Sequence, residues 1–132
     1  MLCARVMRGI NSIARKVTPR PARARHAHVT ASPQRGQVYR CDLGYGLKPW
    51  LVISNNARNR LLDDIIAIRL TTTARDLPTW VTLSPADPLT GYANADCIEQ
   101  LGKDELGEYL GALSQASMRG VNQALAIALA LT

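Results

Sequence analysis

A proline followed by four apolar residues, Pro49-Trp50-Leu51-Val52-Ile53, constrains this chain more than any other stretch. A continuous apolar run of that kind suits a strand buried on both faces. Proline has no N–H to give a ladder, so it belongs at the first position of such a strand, where the loss costs least. The preceding stretch alternates instead: Val38, Arg40 and Asp42 interleave with Tyr39, Cys41 and Leu43. That period of two describes a half-buried strand. Gly44-Tyr45-Gly46-Leu47-Lys48-Pro49 joins the two as a turn, with glycines for unusual backbone angles and a proline that presets φ. Residues 35–55 therefore read as a hairpin. Lys48 is expected at a strand mouth, facing solvent beside a stiff neighbour.

Further on, Ser54-Asn55-Asn56 can cap a short helical turn. Asp63-Asp64 reads as a solvated turn. Ile65–Thr71 is another buried run, and alternation puts Arg69 and Thr71 on one face with Ala67. Thr79–Leu83 alternates as a strand, Tyr92–Leu101 reads as a strand with irregular pairing, and Leu106–Gly111 as a short one. Ser114 caps a helix that runs to the C-terminus. Met118, Val121, Leu125 and Leu129 form one apolar stripe on it; Ala124, Ile127 and Leu131 form a second. The sheet covers one stripe. The other is either a subunit contact or part of one wide core-facing surface. Five or six short strands, short connections and one firm helix make a mainly β fold with a C-terminal helix. Its sheet is expected to be small, strongly bent and barrel-like, with the helix packed on it.

Charge divides the chain. Its net charge is +6, but residues 1–34 hold seven basic residues and no acid, while residues 35–132 hold nine basic residues against ten acids. Two regions follow: a basic, disordered extension over 1–34 and a folded domain over 35–132. The extension reads as a transit peptide, as an arm touching nucleic-acid phosphates, or as an appendage without fold or role; the last is favoured. The folded part is near neutral, so a nucleic-acid role for it needs a local patch. No apolar run approaches the roughly 18 residues of a membrane span, so no membrane partner is expected. Cys3, Cys41 and Cys97 are widely spaced and lack metal-ligand spacing; a reducing cytosol is the simplest home.

Both histidines, His26 and His28, lie in the extension. The folded part therefore has no histidine base to activate a serine or cysteine. It has no metal-ligand spacing and no Gly-rich phosphate loop before a helix. Polar groups at strand ends and loops remain: Lys48, Arg69, Thr71, Arg75, Asn94, Asp96 and Glu99. Cations, hydroxyls and a carboxylate suit phosphodiester cleavage in RNA, which needs neither metal nor cofactor. The substrate brings its own nucleophile, the 2′-OH; the protein positions it, moves a proton and stabilises an anionic phosphorus.

The segments RGQVYRCDL, KPWLVISNNARNR, IIAIRLTTTARDLPTWVTL, GYANAD and LGALSQASMRGVNQALAIALAL, in that order, resemble the MazF/PemK toxins of bacterial type II toxin–antitoxin pairs. The resemblance covers residues 35–132. It implies an SH3-like small barrel of the plasmid-maintenance-toxin type. It also implies a homodimer in the bacterial cytoplasm that cuts single-stranded RNA at short sequences, leaving a 2′,3′-cyclic phosphate and a 5′-OH. A cognate antitoxin with an acidic, extended C-terminal segment would cover the RNA site. The family's arginine before the proline, which stabilises the transition state, falls on Lys48; lysine keeps the charge without the two-pronged grip. The family's threonine falls on Thr71, and a family carboxylate on Asp96, as acceptor of the 2′-OH proton. Some members place an arginine as general acid where this chain has Asn94, which cannot serve. Lys48, Thr71 and Asp96 are thus the candidate catalytic residues, and Arg69, Asn94 and Arg75 the candidate substrate-binding ones.

A second reading takes the same fold as a non-catalytic binder, either of a protein target such as gyrase or of its antitoxin alone. The lysine, the asparagine and the short first loop motivate it. Trp50 and Trp80 read as core or dimer-contact residues, although an exposed indole can stack on a base.

Overall fold

The computed structural model describes residues 32–131. The basic extension expected over residues 1–34 lies, for residues 1–31, outside the described residues. Six strands form one antiparallel sheet: β1 (Gln37–Asp42), β2 (Leu47–Val52), β3 (Asp64–Thr71), β4 (Trp80–Thr82), β5 (Tyr92–Gly102) and β6 (Tyr109–Ala112). Their order across the sheet is β4-β5-β3-β2-β1-β6. A short helix α1 (Asn56–Leu61) links β2 to β3, and α2 (Gln115–Ala128) closes the chain. The sheet curls into a half-barrel around α2.

Alternation along the strands builds two cores, one on each side of the sheet. Val38, Leu51, Ile68, Leu70 and Ala93 face α2 and pack with Leu113, Val121 and Leu83. Cys41, Trp50, Val52, Ile65, Ala67, Cys97 and Leu101 pack on the other side, under Tyr39, Tyr45 and Leu106. Trp50 through Val52 serve both, which is why that stretch reads as an unbroken apolar run. Truncating a fully buried residue such as Ile68 to alanine would cost about 2–5 kcal/mol.

Both helices begin on side-chain caps. Asn55 accepts from the backbone N–H of Ala57 at 2.7 Å and of Arg58 at 3.2 Å. Ser114 accepts from Ser117 N–H at 3.2 Å. Asp87, in the loop between β4 and β5, fastens α2 to the sheet. It accepts from Ser114 N–H at 2.7 Å, from the Ser117 hydroxyl at 2.5 Å and from Ser84 N–H at 2.7 Å. Burial pushes its pKa up, but these donors outweigh burial and hold it at about 2.

Three expectations change. Lys48 does not stand in a turn; it lies inside β2 opposite Cys41 and is half-buried, because the two positive-φ glycines Gly44 and Gly46 complete the turn earlier. Asp64 is not a solvated turn residue but starts β3, paired with Arg58 at 2.7 Å and accepting from Gln100 at 2.8 Å. The strand read over Leu106–Gly111 covers Tyr109–Ala112, since Gly107 and Glu108 bond the Arg40 backbone as a loop. Val121 of the first stripe and Ala124 of the second are both buried on α2, while Ile127 near its end and Leu129 and Leu131 beyond it are at least half exposed. Exposure thus follows the end of the helix in both stripes.

Candidate active site

Antiparallel partners project to the same side of a sheet. Five strands accordingly contribute one transverse row on the side away from α2: Tyr39, Trp50, Arg69, Asn94 and Trp80. One step along, a second row holds Cys41 and Lys48, then Thr71, Tyr92 and Thr82. The apolar part of this face ends at Trp50 and Ala67, and the polar groups begin where it ends. Lys48, Arg69, Thr71 and Asn94, drawn from three strands, thus share one face.

The ladder breaks between Lys48 and Thr71. Arg40 turns both backbone groups away from β2, accepting from Gly107 at 2.8 Å and donating to Glu108 at 2.9 Å. Its partner Pro49 therefore turns its nitrogen toward β3. On that side Ile53 donates to Ile66 at 2.9 Å, and the two-residue period puts Leu51 with Ile68, then Pro49 with Leu70, at bonded positions. Proline has no N–H to give. The Leu70 carbonyl is taken instead by Arg69 Nε at 3.1 Å. Pairing of β2 with β3 ends at Trp50 and Arg69. Two residues further on each strand stand Lys48 and Thr71, facing across an unzipped gap.

Thr71 Oγ1 accepts from Thr73 N–H at 3.1 Å, so its hydroxyl proton is available to donate outward. Behind it, Gly91 has φ +127°, and a Cβ there would stand 2.4 Å from the Thr71 carbonyl oxygen. Glycine is required for the chain to pass so close. The Arg69 guanidinium lies 5.9 Å from the Tyr45 ring centroid, which fixes the cation over the β1–β2 loop.

Asp96 is placed by a different route, on the far side of Asn94 from Tyr92, the partner of Thr71. The register steps from Ile68↔Ile98 to Arg69↔Asn94, so Ala95, Asp96 and Cys97 leave the ladder as a three-residue excursion. Ala95 and Cys97 point in and are buried, while Asp96 is exposed. Asp96 N–H donates to Asn94 Oδ1 at 2.9 Å, and Asp96 Oδ2 accepts from the Thr79 hydroxyl at 2.6 Å. Asn94, nearly buried, is therefore a brace for the carboxylate rather than a group presented to solvent. Arg75 stands in the exposed loop after β3, its guanidinium 5.9 Å from the Trp80 ring. Among the described residues no group of three His, Cys, Asp or Glu side chains is placed to hold a metal ion.

Sequence reasoning missed Tyr45, Thr79 and Gly91. The glycine gave a signal, a Gly in a turn beside a strand end, but its partner Thr71 is distant in sequence. Thr79 and Tyr45 gave none, since both act through neighbours that only the fold supplies.

Residues 34–129 match the family of PemK-like, MazF-like toxins of type II toxin–antitoxin systems. The chain is 67% identical to Endoribonuclease MazF4 of Mycobacterium tuberculosis over 100 residues, covering 76% of this chain and 95% of that relative. The same figures hold for Endoribonuclease MazF1 of Mycobacterium bovis. A solved mycobacterial structure, an endoribonuclease in complex with its cognate antitoxin, superposes with a TM-score of 0.76 at 66% identity, over 76% of this chain and 98% of that one. A MazE–MazF structure from Deinococcus radiodurans gives 0.66 at 24% identity, over 76% and 97%, a likeness of fold. With its half-barrel, its closing helix and this match over nearly all described residues, the chain belongs to the PemK-like, MazF-like toxin family.

Proposed function

We propose that this chain is an endoribonuclease toxin that cuts single-stranded RNA at the gap between Lys48 and Thr71. The observation that carries this reading is the end of the β2–β3 pairing at Trp50 and Arg69, beyond which a cation, Lys48, and a hydroxyl, Thr71, stand on one face outside the paired stretch. Its kinship with proteins named endoribonucleases supports the reaction class.

The chemistry needs no redox step and no external nucleophile. Asp96 accepts the proton of the 2′-OH, and the freed oxygen attacks the adjacent phosphorus in line. The P–O5′ bond breaks, the 5′-oxygen takes a proton from water, and a 2′,3′-cyclic phosphate remains. Lys48 and the Thr71 hydroxyl hold the phosphoryl oxygens, whose charge is largest at the crowded transition state. Arg69, Asn94 and Arg75 act on substrate less directly: Arg69 adds positive field, Asn94 orients Asp96, and Arg75 stands at the rim.

Two partners accompany this reading. A cognate antitoxin would lay an acidic, extended segment across Lys48, Arg69 and Arg75. A second copy of the chain would cover Ile127, Leu129 and Leu131, which the sheet leaves exposed. Such a dimer would work in the bacterial cytoplasm. No helix among the described residues is long and apolar enough to cross a membrane.

The test is to incubate the purified full chain with a long mixed-sequence RNA in EDTA and map the new 5′-OH ends, with Lys48→Ala and Asp96→Ala alongside. Discrete cuts that vanish in both variants are expected. Cuts that survive both would keep the activity and discard the site. No cuts by a folded chain that still arrests growth would favour the binder of a protein target.

A further inference from the structure

We infer that Trp80, with Tyr92 beside it and Arg75 over it, is a nucleobase-stacking subsite for the nucleotide next to the scissile phosphate. This rests on the reading above and assigns the substrate contact that the catalytic row lacks. The argument starts from position. Trp80 pairs with Asn94 and Tyr92 pairs with Thr71, so both rings project on the face that carries Lys48 and Thr71. Neighbouring strands lie about 4.8 Å apart, which puts Tyr92 one strand from Thr71 and Trp80 one strand further.

The environment of Trp80 is unlike that of the chain's other indole. Trp50 is 1% exposed and belongs to the core. Trp80 is half-buried on β4, a three-residue strand at the sheet's edge. Its neighbour Val81 faces α2, where a Cβ on Gly120 would stand 3.0 Å from it. Packing on the helix is thus the work of Val81, and nothing in the core requires a ring at position 80. The ring is held all the same. Its centroid is 6.4 Å from that of Tyr92, tilted by 53°, and the Arg75 guanidinium lies 5.9 Å from it. Two aromatic rings and a guanidinium, placed at the rim of a phosphate-binding gap, have the composition of a single-strand platform. Every base offers a π-face to the rings, and the cation suits the flanking phosphate. Such a site adds affinity with little base preference, which leaves sequence choice to the loops.

The experiment uses the full chain and a single-stranded mixed-sequence RNA with every 2′-hydroxyl methylated, which can bind but cannot be cut. Indole fluorescence of the wild type should be quenched on titration. Trp80→Phe should bind the fluorescein-labelled RNA within a few-fold of wild type yet lose the quenching, because the remaining indole is buried. Trp80→Ala should weaken binding on the order of tenfold. Quenching that persists in Trp80→Phe, or wild-type affinity in Trp80→Ala, would overturn the subsite. Should Trp80→Ala fail to fold, the quenching result in Trp80→Phe decides alone. Cleavage of unmodified RNA is measured on the same preparations. Cleavage without quenching of Trp80 would sink the subsite and spare the nuclease; quenching without cleavage would do the reverse.

Discussion

Pro49 and Leu70 occupy a bonded position of the β2–β3 ladder at which proline has no N–H to give the Leu70 carbonyl, and Arg69 Nε takes that carbonyl at 3.1 Å. Pro49→Ala would return an N–H to that carbonyl and displace Arg69. The added hydrogen bond is worth about 0.5–1.5 kcal/mol, against about 0.4–1 kcal/mol lost through a freer unfolded chain. The thermal midpoint should therefore barely move, while RNA cleavage falls as the gap zips shut. Unchanged cleavage in a variant whose residue-49 amide is protected from exchange would show that the gap plays no part.

Lys48 keeps a charge where the family's pattern has an arginine. Lys48→Ala should lower the single-turnover cleavage rate on the order of 10²–10³-fold, the usual effect of removing one transition-state donor. Lys48→Arg should keep the rate or raise it, because the guanidinium holds two phosphate oxygens at once. A loss in Lys48→Arg as deep as in Lys48→Ala would mean that the ammonium works as more than a charge.

Gly91 and Gly46 both hold positive φ, but only Gly91 is crowded: its added Cβ would lie 2.4 Å from the Thr71 carbonyl, whereas nothing lies within 4 Å of Gly46. Gly46→Ala should cost about 1–3 kcal/mol of backbone strain alone. Gly91→Ala should cost more and should also cut activity, by pushing Thr71 away from the gap. Denaturant midpoints of the two variants, read beside their cleavage rates, check this.

Asp87 links pH to the seating of α2. Its folded pKa, about 2, lies below the ordinary 3.8. Its contribution is therefore fully present above about 3.8 and is lost as pH falls through about 2. Asp87→Asn should lower stability at neutral pH by about 1–2 kcal/mol, since an amide N–H₂ would face donors where the carboxylate accepts. The difference between variant and wild type should shrink in acid. Midpoints measured from pH 7 downward test it; a constant difference would assign the loss to packing.

The fold was legible because its signals are local. The apolar run at 50–53, the alternation at 38–43 and the Ser114 cap each report on their own segment, and the structure has a strand, a strand and a helix there. The candidate catalytic trio, Lys48, Thr71 and Asp96, rests on resemblance, and chain spacing alone could not assemble it. Lys48 and Thr71 share one face only because β2 and β3 are neighbours, and Asp96 projects only because β5 leaves its ladder. Lys48 was placed in a turn because Leu47, Lys48 and Pro49 carry no strand pattern. Pairing with β1 overrides that local preference.

The three residues that leave the ladder of β5 divide by function. Ala95 and Cys97 are plugs, both buried, whereas Asp96 alone meets solvent. Exchanging the side chain at position 96 removes one partner, that of the Thr79 hydroxyl, but empties no place in the apolar core. Natural variation and laboratory selection should therefore find their freedom at 96 and their penalties at 95 and 97, so that reactivity can drift while the scaffold stays fixed.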